Sequence, residues 1–449
     1  MKKILWVGDA GCPSGFARVT HESLKSLAPT YDVTVLGLNY QGDPHEHPYP
    51  IYAANVGGDY FGVGRLIWMC DLVKETEQSG AKRVIVPREQ HSGPDLIIIQ
   101  NDPWNFPHYL QRLRSIPEYR DVPTIGIIPV DGKDCLGSML NGLTMAAFLT
   151  QFGLEEARRG GYKGPAVTIP NGVDLGTYYP EDKIAARRRR GLPPWMDQSF
   201  IVGNVNRNQP RKRWDLTLKY FAEWVHSGRM KDTYLYLHVA PTGDMGVDVK
   251  RLAMSYDIIQ RLILVEPPTF YGATEDSMRD TYNCFDVQIS TTQGEGFGLT
   301  TFEGMACGVP QIVPDWSALG ELCQGAARLV PCTSTAIGPP YVNVLGGVAD
   351  QAAFIKEMDA LYVDDGLRAH TATLGFNRAL EDRFRWENIG EAYRLIAGLL
   401  IRQDGERRAR QVEADKVARA EAERVAWGMG GESNEEMWAD LGRSVEVTA

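Results

Sequence analysis

Ser290-Thr291-Thr292-Gln293-Gly294-Glu295-Gly296-Phe297-Gly298-Leu299-Thr300-Thr301-Phe302-Glu303-Gly304-Met305-Ala306-Cys307-Gly308-Val309-Pro310 is the stretch that decides the fold. A short strand ends at its start, a glycine-rich turn follows, and residues 299–307 carry a helical pattern. Gly308 marks the stop of that helix and Pro310 opens the next strand. Strand, turn, helix, strand is a unit of a parallel α/β sheet. Glu295 falls in the turn. Glu303 falls about a turn inside the helix, and helical side chains lean towards the N-terminus. Both carboxylates can therefore meet one ligand where unpaired backbone N–H groups point outward. Carboxylates accept hydrogen bonds from sugar and ribose hydroxyls, while the amides suit phosphate oxygens. The plainer reading is of two acids complementing a helix dipole.

Outward from this stretch the same rhythm recurs. Short apolar runs at 200–205, 234–239, 262–266, 287–291 and 310–313 alternate with helical patterns at 216–226 and 247–259. Before them, runs at 4–7, 33–38, 96–100, 124–130 and 146–150 alternate with helical patterns at 16–27, 64–77 and 109–115. Near-continuous β-branched runs between helices are buried parallel strands. The chain has 449 residues, and one hydrophobic core rarely grows past roughly 250–300. The expectation is two doubly wound α/β domains: 1–180 and 199–385, joined by a charged, Gly/Pro-containing linker at 181–198. An amphipathic helix follows at 386–401, and then a charged tail, helical or partly disordered, at 402–449.

Ligands of open α/β sheets bind beyond the carboxyl ends of the strands, so the loops there are the candidate sites. Gly8-Asp9-Ala10-Gly11-Cys12-Pro13-Ser14-Gly15 follows the first strand and opens a helix at Phe16. It is either a phosphate-approach loop or an ordinary strand–helix turn, and it lacks the G-x-G-x-x-G spacing. Asn206-Arg207-Asn208-Gln209-Pro210-Arg211-Lys212-Arg213 follows the strand at 200–205. Arg207 and Lys212 could hold a diphosphate, one as a fork and one as a point charge, or belong to a solvated basic turn.

Composition narrows the class. A formal charge of -10 argues against a generally nucleic-acid-coating surface. The seven cysteines are scattered, with no C-x-x-C pair, which fits a reduced cytoplasmic chain better than a disulfide framework. The N-terminal apolar run is a first strand and too short for a signal peptide. No D-x-D and no H-E-x-x-H occurs, so no metal is expected. His45-Glu46-His47 lies in a Pro-rich loop.

With these residues in view, the sequence resembles the retaining glycosyltransferases of family 4, which have the GT-B fold. The most specific part is Glu295, seven intervening residues, Glu303, and then Ala306-Cys307-Gly308-Val309-Pro310. Arg207 and Lys212, Asn171-Gly172-Val173-Asp174 with Tyr179-Pro180, and Trp386-Glu387 also match family positions. The resemblance runs from Met1 to about Ile401. It implies two Rossmann-like domains facing a central cleft, with the helix at 386–401 crossing back to the first. It implies a nucleotide-sugar donor as co-substrate, no cofactor, and retention without an enzyme nucleophile. Arg207 and Lys212 would hold the donor diphosphate, Glu295 the transferred sugar and Glu303 the ribose. Gly296, Phe297, Gly298 and Leu299 would offer backbone groups, and Gly15 would close over the diphosphate.

One position departs from the family, which often carries a His after an N-domain strand. Here the strand at 124–130 leads into Asp131, a candidate acceptor-side base or sugar contact, or else a turn cap. Asp102 and Trp104, after the strand at 96–100, are candidates for the acceptor cleft. Trp104 could stack on a sugar or base, or belong to the core. The loop at 266–271 could flank the donor base.

The acceptor stays open among a glycan, a lipid-linked sugar and modified DNA. Ser14-Gly15-Phe16-Ala17-Arg18-Val19 and Pro129-Val130-Asp131-Gly132 resemble glycosyltransferases often found in bacteriophage genomes, which would place the chain in host cytoplasm. That resemblance makes a hydroxylated base in phage DNA a specific alternative. Arg187-Arg188-Arg189-Arg190 is a basic run, expected as a solvated helix end. A nucleotide-sugar epimerase and a non-catalytic nucleotide-sugar-binding or scaffold protein are the rival functions.

Overall fold

The computed structural model describes residues 1–11, 14–71, 93–228, 230, 232–240, 242, 245–265, 273–337 and 344–426, with side chains to 418. Expectations for 72–77, the loop at 266–271 and the tail from 427 lie outside the described residues.

The first half contains β1 (Lys3–Asp9), α1 (Gly15–Leu27), β2 (Asp32–Leu38), β3 (Ile51–Ala53), α2 (Val63–Asp71), β4 (Leu96–Gln100), α3 (Phe106–Arg114), β5 (Thr124–Ile128), β6 (Met145–Phe148), α4 (Gln151–Arg159) and β7 (Ala166–Thr168). Its seven strands form one parallel sheet in the order β3-β2-β1-β4-β5-β6-β7.

After α5 (Lys183–Arg189), the second half runs through β8 (Phe200–Val205), α6 (Trp214–His226), β9 (Thr233–His238), α7 (Val249–Ser255), β10 (Leu262–Val265), α8 (Glu275–Asn283), β11 (Val287–Ile289), α9 (Leu299–Ala306), β12 (Gln311–Pro314), α10 (Ser317–Leu322) and β13 (Arg328–Val330). These strands form a second parallel sheet, β10-β9-β8-β11-β12-β13. An antiparallel hairpin, β14 (Cys332–Ile337) with β15 (Leu345–Ala349), is followed by α11 (Gln351–Val363), α12 (Asp365–Ala379) and α13 (Trp386–Ala426).

Both sheets are the expected parallel α/β layers, for a direct reason. Leu96–Gln100 is buried at every position, as a strand covered on both faces must be. Val202, Leu235 and Ile289 of the second sheet pack with Trp214, Phe221 and Phe354. Each such fully buried apolar side chain contributes about 1.5–3 kcal/mol relative to exposure. Helix starts are set by capping residues: Ser14, Thr150, Asp248, Thr274 and Asp350 each accept a backbone N–H from the first turn.

Three short strands, β3, β7 and β13, were not marked by apolar runs, and neither was the hairpin. Each of the three has only three residues and lies at or beside a sheet edge. The basic run 187–190 also differs from expectation. Arg187 is 1% exposed. It donates to the carbonyls of Cys284, Met196 and Asp197 and pairs with Asp286 at 2.8 Å. Arg187 is thus an anchor of α5 on the second half, while Arg188 and Arg189 are exposed at the helix end as expected.

The start of α13 packs back on the first half. Gly390 lies against Ser26, and the Tyr31 hydroxyl donates to the Arg394 carbonyl at 3.3 Å. Among the described residues, 398–426 belong to a second unit. Its side chains from 405 to 418 are exposed, and Asp404 pairs with Arg407 and Arg408 along the helix. Among the described residues, no helix is long and apolar enough to cross a membrane.

Candidate functional site

The order of each sheet reverses at one place, between β1 and β4 in the first and between β8 and β11 in the second. Crevices open at such switch points, beyond the carboxyl ends of the strands. The loops after β1 and β4 carry Gly15, Asp102 and Trp104. Those after β8 and β11 carry Arg207, Lys212 and Glu295. Sheet topology therefore groups residues that are far apart in sequence.

The two loops of the second sheet are tied to each other. The Gln293 N–H donates to the Arg211 carbonyl at 2.8 Å, and the Thr291 hydroxyl to the Arg213 carbonyl at 2.8 Å. Pro210 starts a short 3-10 turn through Lys212, which turns Arg211 and Lys212 towards the glycine loop. Glu295 accepts from both: one carboxylate oxygen pairs with Lys212, the other with Arg211 at 3.0 Å. Burial alone would raise the Glu295 carboxyl, but Lys212 and Arg211 hold it down at about 2.

Arg211 also bridges the cleft. Its Nε lies 3.2 Å from Asp131, which follows β5 of the first sheet. The glycine loop packs directly on that turn. A Cβ on Gly294 would come within 1.7 Å of the Asp131 carbonyl oxygen, and one on Gly296 within 2.4 Å of Pro129. Only glycine permits this approach. Gly298, at φ +100°, starts α9 in a left-handed conformation and leaves the first N–H groups of that helix facing the loop.

Asp102 is half-buried after β4. Burial and the like charge of Asp131 push its carboxyl up to about 7, partly offset by Arg211. Burial also raises Asp131, against the pull of Arg211. Trp104 is half-buried in the turn Pro103–Asn105 that Asp102 opens.

Glu303 lies one turn inside α9 and is 5% exposed. One oxygen pairs with Arg18 of α1 and the other accepts from the Tyr282 hydroxyl. Burial raises its carboxyl, against the pull of Arg18. Gly15 approaches the same helix: a Cβ there would lie 3.0 Å from Leu299 Cδ1. The Phe297 ring stacks on Phe302 with centroids 4.6 Å apart, so its side chain is core and only its backbone faces the loop.

The structure thus brings together Lys212, Glu295, Asp131, Asp102 and the glycine turn. Arg207 is different: its side chain is exposed and its carbonyl accepts from Trp214 Nε1 at 2.9 Å. Arg211 is the guanidinium at Glu295. Sequence reading passed over it because it sits within a run of three cations, whose facing is set by the turn at Pro210. Arg18 was also passed over as a site residue. Its signal was a cation at the end of the first turn of α1, where the helix dipole disfavours positive charge.

The hairpin adds a second bridge. Leu345 and Lys133 exchange backbone hydrogen bonds of 3.0 and 2.7 Å, and Lys133 Nζ lies 4.4 Å from the Trp316 ring centroid. Glu321 of α10 accepts from the first N–H groups of α4, Gln151 at 3.0 Å and Phe152 at 2.6 Å. Among the described residues, no three His, Cys, Asp or Glu side chains are grouped to hold a metal ion.

Comparison with known proteins bears on this geometry. A model of the family described as family 4 glycosyltransferases in conflict systems matches residues 155–392. The chain is 29% identical over 227 residues to D-inositol 3-phosphate glycosyltransferase of Acidothermus cellulolyticus, covering 50% of this chain and 45% of that protein. It is 28% identical over 229 residues to the protein of the same name from Stackebrandtia nassauensis, covering 50% and 47%. The chain spans about half the length of the curated relatives it matches. The fold is similar to that of sucrose-phosphate synthase from Thermosynechococcus elongatus, at TM-score 0.63 and 18% identity over 90% of this chain and 99% of that one. It is also similar to Anabaena HepE, solved with UDP and glucose, at TM-score 0.60 and 16% identity over 88% and 98%.

Proposed function

The chain belongs to the family 4 glycosyltransferases of conflict systems, and from that premise we propose that it moves a sugar from a nucleoside-diphosphate sugar to a hydroxyl acceptor, with retention and without a metal ion. The observation that carries this reading is the meeting of Lys212, Arg211 and Glu295 beside the start of α9. Two cations and a row of free amides at a switch point suit a diphosphate. HepE, of the same fold, was solved with UDP.

Negative charge grows on the diphosphate as its bond to the sugar breaks. In this reading Lys212 and the α9 amides face that charge, with Arg207 reaching it from the exposed side of the same loop, which lowers the barrier. Glu295 stands in their field in the absence of donor. The diphosphate takes over Lys212, and Glu295 is released to the sugar hydroxyls. The acceptor oxygen attacks on the face the diphosphate leaves, and its proton passes to the departing diphosphate. Asp131 holds the sugar or acceptor hydroxyl from the opposite wall, with Asp102 and Trp104 further along it. The free buried thiols fit a reducing cytoplasm.

The acceptor in this reading is a glycan or lipid-linked sugar hydroxyl. A second acceptor, a hydroxylated base in phage DNA, rests on the likeness of residues 14–19 and 129–132 to glycosyltransferases often found in bacteriophage genomes. Transfer to such DNA would fall steeply with salt, because phosphate contacts release counterions. Transfer to a neutral glycan would not.

A thermal-shift panel of nucleoside diphosphates and their sugar conjugates, with and without EDTA, tests the donor site. At 100 times its dissociation constant a ligand stabilises by about 2.7 kcal/mol. A selective, EDTA-insensitive shift is expected. A flat panel would contradict the reading and favour a scaffold. Conversion of a nucleotide sugar without any acceptor would identify an epimerase instead.

A further inference from the structure

We propose that Arg18 is a donor-phosphate ligand, held on Glu303 until the donor's ribose displaces it. This rests on the donor-site reading above. The argument begins with occupancy. Glu303 has two carboxylate oxygens, one taken by Arg18 and the other by Tyr282. A ribose hydroxyl can bind this carboxylate only by replacing one of them.

Tyr282 is fully buried on α8, within the same half as Glu303. Arg18 comes from the opposite side of the cleft, and its side chain is 23% exposed. It is therefore the partner free to leave. A guanidinium freed from Glu303 keeps only the half-exposed Glu275 and the Tyr178 hydroxyl, and the new anion brought to its neighbourhood is the diphosphate at the start of α9. Gly15 already touches Leu299 there. Arg18 lies three residues beyond Gly15, and Glu303 four beyond Leu299. A shift of about one helical turn, roughly 5.4 Å, carries the guanidinium from Glu303 to the α9 N-terminus, within reach of a long side chain.

Its other contacts suit such a swing. Arg18 Nη2 reaches the Tyr178 hydroxyl at 3.2 Å and Glu275 at 2.8 Å, and Glu275 is half-exposed. The guanidinium carbon lies 5.5 Å from the Tyr178 ring centroid, a loose cation–π contact at the outer limit of its range. Charge completes the case. A diphosphate brought next to a buried Glu303 carboxylate would be repelled, and a cation between them removes that repulsion.

The test is calorimetric titration of the full chain with UDP, GDP, ADP and dTDP and with the matching nucleosides. Arg18→Ala is expected to weaken the diphosphate that binds wild type by tenfold or more. Binding of its nucleoside should stay unchanged or tighten, because Glu303 is then vacant. Arg18→Lys keeps the charge and loses the fork, so it should restore part of the diphosphate affinity, and it serves if the alanine variant does not fold. Equal losses for diphosphate and nucleoside, or no loss for either, would overturn the role of Arg18. Failure of the donor site reads differently: wild type would then bind no diphosphate, or Glu303→Ala would leave nucleoside affinity unchanged.

Discussion

Glu295 and Glu303 stand eight residues apart on one turn and helix, yet their carboxyls move in opposite directions. Glu295 is pulled down to about 2 by two cations from its own half. Glu303 is pushed up, because burial outweighs one guanidinium borrowed from across the cleft. Both are buried and both are paired, so burial and pairing alone do not fix the charge of a carboxylate. What differs is the set of charges each one faces, two cations at Glu295 against one cation and the Glu275 carboxylate at Glu303. The Glu295 cluster is a built-in set of charges to which the first half adds Asp131 through Arg211. The Glu303 pair exists only while the two halves touch.

The sharpest way to break this contrast is Glu295→Ala. It leaves the half-buried Lys212 without its anion and Arg211 with Asp131 alone, and removing one partner of a buried pair costs at most about 3–5 kcal/mol. Urea unfolding should show a loss of that order, with nucleoside diphosphate restoring more stability to the variant than it adds to wild type. Lys212→Ala should lower kcat/KM by about 10²–10³-fold, or about 2.7–4 kcal/mol, in a steady-state transfer assay. Tyr282→Phe removes one hydrogen bond to Glu303 and should destabilise by about 1.5–3 kcal/mol, with Lys212-dependent binding untouched.

The last contrast is in pH. Asp102 has a raised carboxyl, so the stability it contributes is present below its ordinary value of about 4 and is lost as pH rises through about 7. Asp102→Asn should flatten the fall in thermal midpoint across that window. The Glu295 pair has the opposite sign: it stabilises above the ordinary carboxylate range and fades only as pH falls towards about 2. A series from about pH 2 to about pH 8, which covers both values, would separate the two.

What the sequence disclosed follows the same division. The loop after β11 was legible because its glycines, acids and helix stop are consecutive. The β-branched runs named ten of the strands, while β3, β7 and β13 are too short to carry a pattern. Asp131 and Asp102 were visible as polar residues at strand ends. Their company was not. Arg211 reaches Asp131 and Arg18 reaches Glu303 across 80 and 285 positions respectively, and no local pattern encodes such a meeting. Arg187 was misread for the same reason, since its partner Asp286 lies 99 residues away.

The measurement that tests the central claim most directly is calorimetric titration of UDP, GDP, ADP and dTDP, in EDTA, into wild type and Lys212→Ala. The account predicts that one of them binds wild type at a single site and binds the variant at least tenfold more weakly. Equal binding to both proteins, or no binding to wild type, would contradict a donor site built on Lys212 and Glu295.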